Sequence, residues 1–362
     1  MPHTSEPSAK PRRRWLSFSF RGLLIGMTLV CLLLGWLGRH YVQMIEENAI
    51  VDEVMQSGGQ VYYDYHKRSQ QLGEPQDPAG PKWLRDLLGE HLFSRVEAVE
   101  IFAQTKNAEE AAADVVRLKG LTHLKRVALG NVPLGDPQIE VLRRMREVRL
   151  MQGQISAEQF AKLAQSPSLQ AVWLRVEAMD DRLLASLPTF ANLQELHLSF
   201  LNGRYDEHSI TRQGMQAIGA MPHLRRLRLE ALPDEGLRHF DQLKTLTQLE
   251  ALAIEYVPIK DDHFTTISQF TCLKHLSIRP DFQSKFRDQG FTKLQALKQL
   301  ETLELPQARI GDRSMRTIAR LPKLRELSIR GTWITDTGLA ELKDHPSLEA
   351  LDLRETRVTD RG

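Results

Sequence analysis

Cysteine is nearly absent from this 362-residue chain, which holds only Cys31 and Cys272. One lies in an apolar N-terminal run and the other far along the chain, so they are not expected to pair. That excludes a disulfide-stapled scaffold and any four-thiolate zinc site. It says nothing of compartment, because a domain with a large core needs no staples. Surplus charge is also missing, with 48 Lys+Arg against 46 Asp+Glu. So are the signatures of catalysis: there is no Gly-rich phosphate loop, no His-Glu-x-x-His, no nucleophile elbow and no cysteine pair near histidines. The twelve histidines are scattered. His123, His223, His275 and His345 fall in or beside turns that lead into predicted strands, at offsets too irregular for a metal site. No cofactor, metal or catalytic residue is expected. Apolar residues make up 41% and charged residues 26%, which excludes wholesale disorder and a multi-span membrane protein.

The near-zero charge is a sum of unlike parts. Residues 1–40 hold six basic residues and one acid, a balance of +5, and residues 41–362 have a balance of −3. A mildly acidic body argues against nucleic acid, since phosphate binding wants a basic stripe. The basic N-terminal residues flank one apolar stretch. Gly22–Leu37 is 16 residues long, which covers about 24 Å as a helix. Adding Trp15–Phe20 reaches the roughly 20 residues needed to cross a bilayer. Arg21 is near one end, where its guanidinium can reach the headgroups. Leu34-Gly35-Trp36-Leu37-Gly38 is a poor cleavage site, and Cys31 follows Val30 rather than a small residue, so neither a cleaved signal peptide nor a lipoprotein is favoured. Residues 15–38 are expected to be an uncleaved signal anchor embedded in lipid. By the positive-inside rule, the disordered tail 1–14 is cytoplasmic and the rest extracytoplasmic.

Residues 39–94 read as a juxtamembrane and capping module. Tyr41–Gln56 has no Gly or Pro and carries a loose helical stripe, Val61–Tyr65 is β-prone, 66–81 is a loop, and Lys82–Phe93 is helical. The aromatic cluster here is either a ligand groove or a hydrophobic cap, and the cap is favoured.

From about residue 95 the chain repeats. Leu324-Arg-Glu-Leu327-Ser-Ile329 and Leu348-Glu-Ala-Leu351-Asp-Leu353 share one pattern, apolar-x-x-apolar-x-apolar. It recurs from Leu124, Met145, Leu169, Leu193, Leu224, Leu249, Leu273 and Leu300, with a degenerate copy at Val96. The starts from 124 to 348 are 21 to 31 residues apart, and their mean spacing is about 25. Each unit reads as a short strand, a turn and a helix. Asp234-Glu-Gly236, Asp288-Gln-Gly290, Asp336-Thr-Gly338 and Asp360-Arg-Gly362 recur before the helices, where the Asp or the preceding Thr is expected to cap. Their acids are too sparse for calcium loops.

These repeats resemble the leucine-rich repeat family, in its roughly 24-residue strand–helix form, and Leu327–Leu339 looks like the repeats of membrane-anchored bacterial proteins. The resemblance implies an α/β solenoid over residues 95–362, with a curved parallel sheet inside and helices outside. Departures from the pattern are an insertion at 200–212, a shortened turn after Leu229, a smaller insertion at 280–286 and no steady asparagine ladder. Thr332 and Thr356 hold the equivalent turn only in the last copies.

If the apolar strand positions point inward, the residues between them face out on the concave side. The central column then reads Glu100, Ala128, Arg149, Trp173, His197, Arg228, Ala253, Ser277, Glu304, Ser328 and Asp352. Arg149, Trp173, Arg175, His197, Arg226 and Arg228 gather over four adjacent repeats. An exposed Trp among arginines is the residue mix of a binding hot spot, although an ordinary solvated sheet face has the same ingredients. The expected function is a membrane-anchored, non-enzymatic recognition or scaffold protein that binds a protein or a surface polymer. A cytosol-facing adaptor and an enzyme with its site in 41–94 are the alternatives. The chain stops where another helix should begin, which fits a frayed repeat, a shortened reading frame or a homodimer through the uncapped edge.

Overall fold

The computed structural model describes residues 20–65, 81–88, 94–103, 107–175, 179–200, 210–281, 284 and 288–362. The expected tail 1–14, the loop after Tyr65, residues 89–93 and most of both insertions lie outside the described residues. The chain divides into two units, Met1–Ala49 and Ile50–Gly362.

The first unit holds most of α1, a helix spanning Phe20–Gln56. Here the structure joins what the sequence separates: the apolar stretch and the juxtamembrane helix are one 37-residue element. Nothing between Arg39 and Gln56 breaks it, because that segment has neither Gly nor Pro. α1 is long and apolar enough to cross a membrane by length and composition, with its most apolar window wholly unburied.

The second unit is built on one sheet of twelve strands in sequence order. They are β1 (Gln60–Tyr63), β2 (Val96–Phe102), β3 (Arg126–Gly130), β4 (Glu147–Met151), β5 (Ala171–Arg175) and β6 (Glu195–Ser199). After them come β7 (Arg226–Glu230), β8 (Ala251–Val257), β9 (His275–Pro280), β10 (Thr302–Glu304), β11 (Glu326–Ser328) and β12 (Ala350–Asp352). From β2 onward every pairing is parallel, and each crossover carries helical turns, as parallel strands require. β1 instead pairs antiparallel with β2 and covers the first edge of the sheet. Val61 and Tyr63 pack on the core, as do Val51 and Val54 from the last turns of α1. The aromatic segment is therefore part of a cap. Trp83, on the short helix Lys82–Leu88, is exposed.

The repeat leucines stack into a single core. Leu196, Leu227, Leu252, Leu276, Leu303 and Leu327 occupy one register position on successive strands, and all are buried. Phe160, Phe190, Phe240, Phe264, Phe270 and Phe291 are also fully buried. One repeat cannot bury both of its flanks, but stacked neighbours bury each other's.

Two further ladders run through the repeats, and neither depends on the leucines. The first follows the strands. Asn131, Gln152, Ala231, Tyr256, Gln307, Gly331 and Glu355 all have left-handed φ, between 53° and 70°. They share one repeat position, three residues past the central column. Most donate their N–H to the next repeat: Asn131 to Met151 O, Gln152 to Arg175 O, Ala231 to Glu255 O, Gln307 to Arg330 O and Gly331 to Arg354 O. A backbone turn thus takes the place of an asparagine ladder. Where expected, Thr332 and Thr356 also donate their hydroxyls to Ile329 O and Leu353 O.

The second ladder corrects the reading of the Asp-x-Gly elements. The threonine does cap its own helix, with Thr335 Oγ1 accepting the Thr337 N–H at 3.3 Å. The aspartate reaches forward instead. Asp312 accepts the N–H and the hydroxyl of Thr335, both at 2.8 Å, and Asp336 accepts those of Thr359 at 2.7 and 2.6 Å. Asp181 holds Thr211 in the same way and adds the Gly214 N–H. The glycine is explained by that carboxylate. A Cβ at Gly338 would fall against Asp312 Oδ1, and one at Gly290 against Asp261 Oδ1. These residues clamp successive repeats, and the glycine makes room for the clamp.

Candidate functional site on the open sheet face

The register places the central column as the alternation predicts. Glu100, Ala128, Arg149, Trp173, His197, Arg228, Ala253, Ser277, Glu304, Ser328 and Asp352 are paired in turn from β2 to β12. Five of the six candidate residues also stand on adjacent strands, and three of them stack. The Arg149 guanidinium lies 4.0 Å from the centre of the Trp173 ring. The Trp173 and His197 rings meet edge-on at 4.7 Å and 69°. Arg226 and Arg228 stand on the next strand. Arg175 closes β5 one position outside this stack, and no ion pair to it is found among the described residues.

What the sequence did not show is a set of carboxylates beneath these cations. Arg149 pairs with Glu147 at 2.6 Å, Arg226 Nε with Glu195 at 2.7 Å and Arg228 with Glu255 at 2.9 Å. His197 Nε2 comes within 3.4 Å of Glu230 without forming a hydrogen bond. The patch is therefore charge-balanced rather than simply basic. The balance is not even with depth. The Arg226 side chain is 57% exposed and its partner Glu195 28%, and Arg228 is 42% exposed against 12% for Glu255. In each pair the arginine is the more exposed partner, and the less exposed carboxylate orients it.

His197 is not one of the cations. Burial pushes its pKa down to about 4, and the Arg228 charge adds to that push against the pull of Glu230. At neutral pH its imidazole is uncharged and packs as an aromatic ring. Glu147, Glu195 and Glu230 each lie two residues from a central-column residue. Their pairing is not legible in that spacing, because it depends on rotamers and on which repeat a side chain leans toward.

Past this wall the face drops. Ala251 and Ala253 on β8 and Ser277 on β9 floor a groove of about 250 Å³. Its far side is Thr302 and Glu304 on β10. The step follows from Ala251 and Ala253 on β8 and Ser277 on β9; His275, in register with Ala251, is the one large outward residue of these two strands that lines the groove. Among the described residues, no group of three or more His, Cys, Asp or Glu side chains could hold a metal ion.

Comparison with known proteins gives three findings. Residues 320–343, which contain β11, its turn and the Asp336 clamp, match the family described as Leucine Rich repeat. No curated protein matches the chain. Among solved structures, the chain is similar to an internalin (inlF) from Listeria monocytogenes str. 4b F2365, at 16% identity over 66% of this chain and 76% of that one, with a TM-score of 0.41. Internalin C2 of the same organism gives 19% identity, 67% and 83% coverage and a TM-score of 0.39. The TLR13 chain of a TLR13–ssRNA13 complex gives 18% identity and a TM-score of 0.47, covering 74% of this chain and only 37% of that one.

Proposed function

We propose that this leucine-rich repeat protein is a membrane-anchored recognition or scaffold protein whose open sheet face binds a macromolecular partner. One observation carries the reading. The outward positions of β4 to β8 hold an Arg149–Trp173–His197 stack and two guanidinium groups, each cation oriented by a carboxylate. A solvated face with no partner has no need to order long arginines, which loses rotamer freedom. Pre-ordered Trp and Arg side chains suit a binding surface, because less entropy is lost on contact. The face has no acid–base pair set against a nucleophile, which favours binding over catalysis.

The anchor rests on α1 and on the +5 balance of residues 1–40. With the positive-inside rule this reading has residues 41–362 on the extracytoplasmic side, and a cytosol-facing adaptor is the opposite topology. A phosphatase or a fluorescent protein fused after residue 50 separates the two. Phosphatase activity supports the outside placement, and cytosolic fluorescence overturns it.

The binding face is tested by affinity capture with the full chain in detergent, against an Arg149→Ala/Trp173→Ala/Arg228→Ala variant. Loss of a captured species in the variant, with an unchanged melting curve, supports the reading. Equal capture by both proteins rejects it.

A further inference from the structure

The groove beyond the cation wall has unlike rims. On one side stand Arg226 and Arg228, each more exposed than the carboxylate it pairs with, Glu195 and Glu255. On the other is Glu304, exposed, with no ion pair to it found among the described residues. Glu326 on β11 is exposed just beyond it and lies in register with Thr302. Along the column from Arg228 to Glu304 the floor is small, Ala253 and Ser277; in the neighbouring column Ala251 is followed by the exposed His275. The two rims are three strand spacings apart, from β7 to β10, or about 14 Å.

These dimensions and charges choose among ligands. A polyanion, whether a nucleic acid or a phosphate- or sulfate-bearing surface polymer, would gain at Arg226 and Arg228 but meet like charge at Glu304 and Glu326. A neutral glycan would leave both rims without counter-charges. An extended protein segment can serve both ends. At about 3.3–3.4 Å per residue, 14 Å is spanned by about four residues. The groove's 250 Å³ admits one sizeable side chain between the two charges. Extended backbone running from Arg228 to Glu304 passes over Ala253 and Ser277 and meets no bulky side chain in that column.

We propose that the partner of this face is a protein, and that it is recognised through an extended segment with an acidic residue seated on Arg226/Arg228 and a basic residue about four positions away seated on Glu304. The inference rests on the recognition reading above and deepens it from "macromolecule" to a peptide of bipolar charge. Complementary charge fixes the register of such a segment and suppresses wrong partners, since like-charge juxtaposition is costly.

Selection of a randomised twelve-residue peptide-display library on the full chain in detergent tests it, with dextran sulfate as a polyanion probe. The expected result is enriched peptides that share an acid and a base about four residues apart. Their binding should fall at least about tenfold on Arg228→Glu or Glu304→Lys. The doubly reversed variant, Arg228→Glu with Glu304→Lys, should select peptides with the two charges exchanged, a gain that misfolding cannot produce. Ala253→Trp fills the groove from the solvent side of the sheet and should abolish binding by steric block. Enriched peptides without a charge pair, yet blocked by Ala253→Trp, would overturn the bipolar-segment proposal and leave the recognition face standing. Peptides unaffected by Ala253→Trp would overturn both. Dextran sulfate binding that strengthens on Glu304→Lys, with no peptide enriched, would replace the protein partner by a polyanion.

Discussion

The repeats around β4–β8 and those around β10–β12 have the same core and opposite surfaces. Both place leucine at one register position, Leu196 and Leu227 in the first group and Leu303 and Leu327 in the second, and all four are buried. Outward, the first group presents Arg149, Trp173, His197 and Arg228, whereas the second presents Glu304, Ser328 and Asp352. Their wiring is partly shared. In the first group the Arg226–Glu195 and Arg228–Glu255 ion pairs cross from strand to strand on the open face, while Arg149–Glu147 stays within β4. In the second, Asp352 pairs with Arg354 two residues on, and Arg330 with Glu355 of the next repeat. Asp–Thr clamps run in both groups, Asp181–Thr211 in the first and Asp312–Thr335 and Asp336–Thr359 in the second. The contrast teaches that in a stacked repeat the core sets the fold and leaves the outward columns free to diverge, so function has to be sought there.

The comparison can be broken most sharply through the core. Leu252→Ala in the middle repeats should cost about 2–5 kcal/mol in a urea melt, because the side chain is fully packed and leaves a cavity. Its counterpart Leu351→Ala should cost no more than about 1 kcal/mol, because Leu351 is 38% exposed in the last strand. Equal losses would mean that the two regions are packed alike.

Next in size is the clamp region. Gly338→Ala places a methyl group against the Asp312 carboxylate and should cost about 1–3 kcal/mol. Pairing it with Asp312→Ala should recover part of that loss, and strict additivity would contradict the clamp geometry. In the middle region the corresponding test is pH. His197 and His263 both have folded pKa values of about 4, below the ordinary 6.5. Between these values the unfolded chain binds more protons, so stability is full above pH 6.5 and falls as the pH drops toward 4. Tm measured across that window should decline, and less steeply in His197→Gln. An unchanged slope in that variant would remove His197 from the account. Asp336 gives a dependence of the same sign in a lower pH range. The Thr359 hydroxyl and N–H hold its carboxyl below the usual value, so its contribution is present above about pH 4 and lost in stronger acid.

The smallest expected effect is on the face itself. A double-mutant cycle of Arg149→Ala and Trp173→Ala should give a coupling of about 0.5–1 kcal/mol from the cation–π contact. Zero coupling would mean that the stack is not populated.

The strands and columns were legible in the sequence because two periods coincide: alternation within a strand, and a spacing of about 25 residues between strands. The six candidate residues could be named from that alone. Their charge state could not. Arg226 and Glu195 are 31 residues apart, and Arg228 and Glu255 are 27 apart. Only the stacking of repeats makes them neighbours. The left-handed turn position was equally silent, because it is filled by Asn, Gln, Ala, Tyr, Gly and Glu with no shared residue type. In the Asp-x-Gly elements the capping threonine was legible, as at Thr335, but the forward reach of the aspartate was not, since capping within a repeat and clamping between repeats need the same residues.

The sequence by itself determined the repeat, its register, the inward leucines and the outward columns, together with a single apolar stretch behind a basic tail. Those features are local in pattern and repeated often enough to be read without contacts. Only the tertiary structure decided which carboxylate pairs with which guanidinium, that His197 is uncharged, and that Ala253 and Ser277 lie between a rim of carboxylate-paired arginines and an acidic rim. Each of these depends on the distance between residues from different repeats and on how much water remains around them, and both are fixed only when the repeats stack.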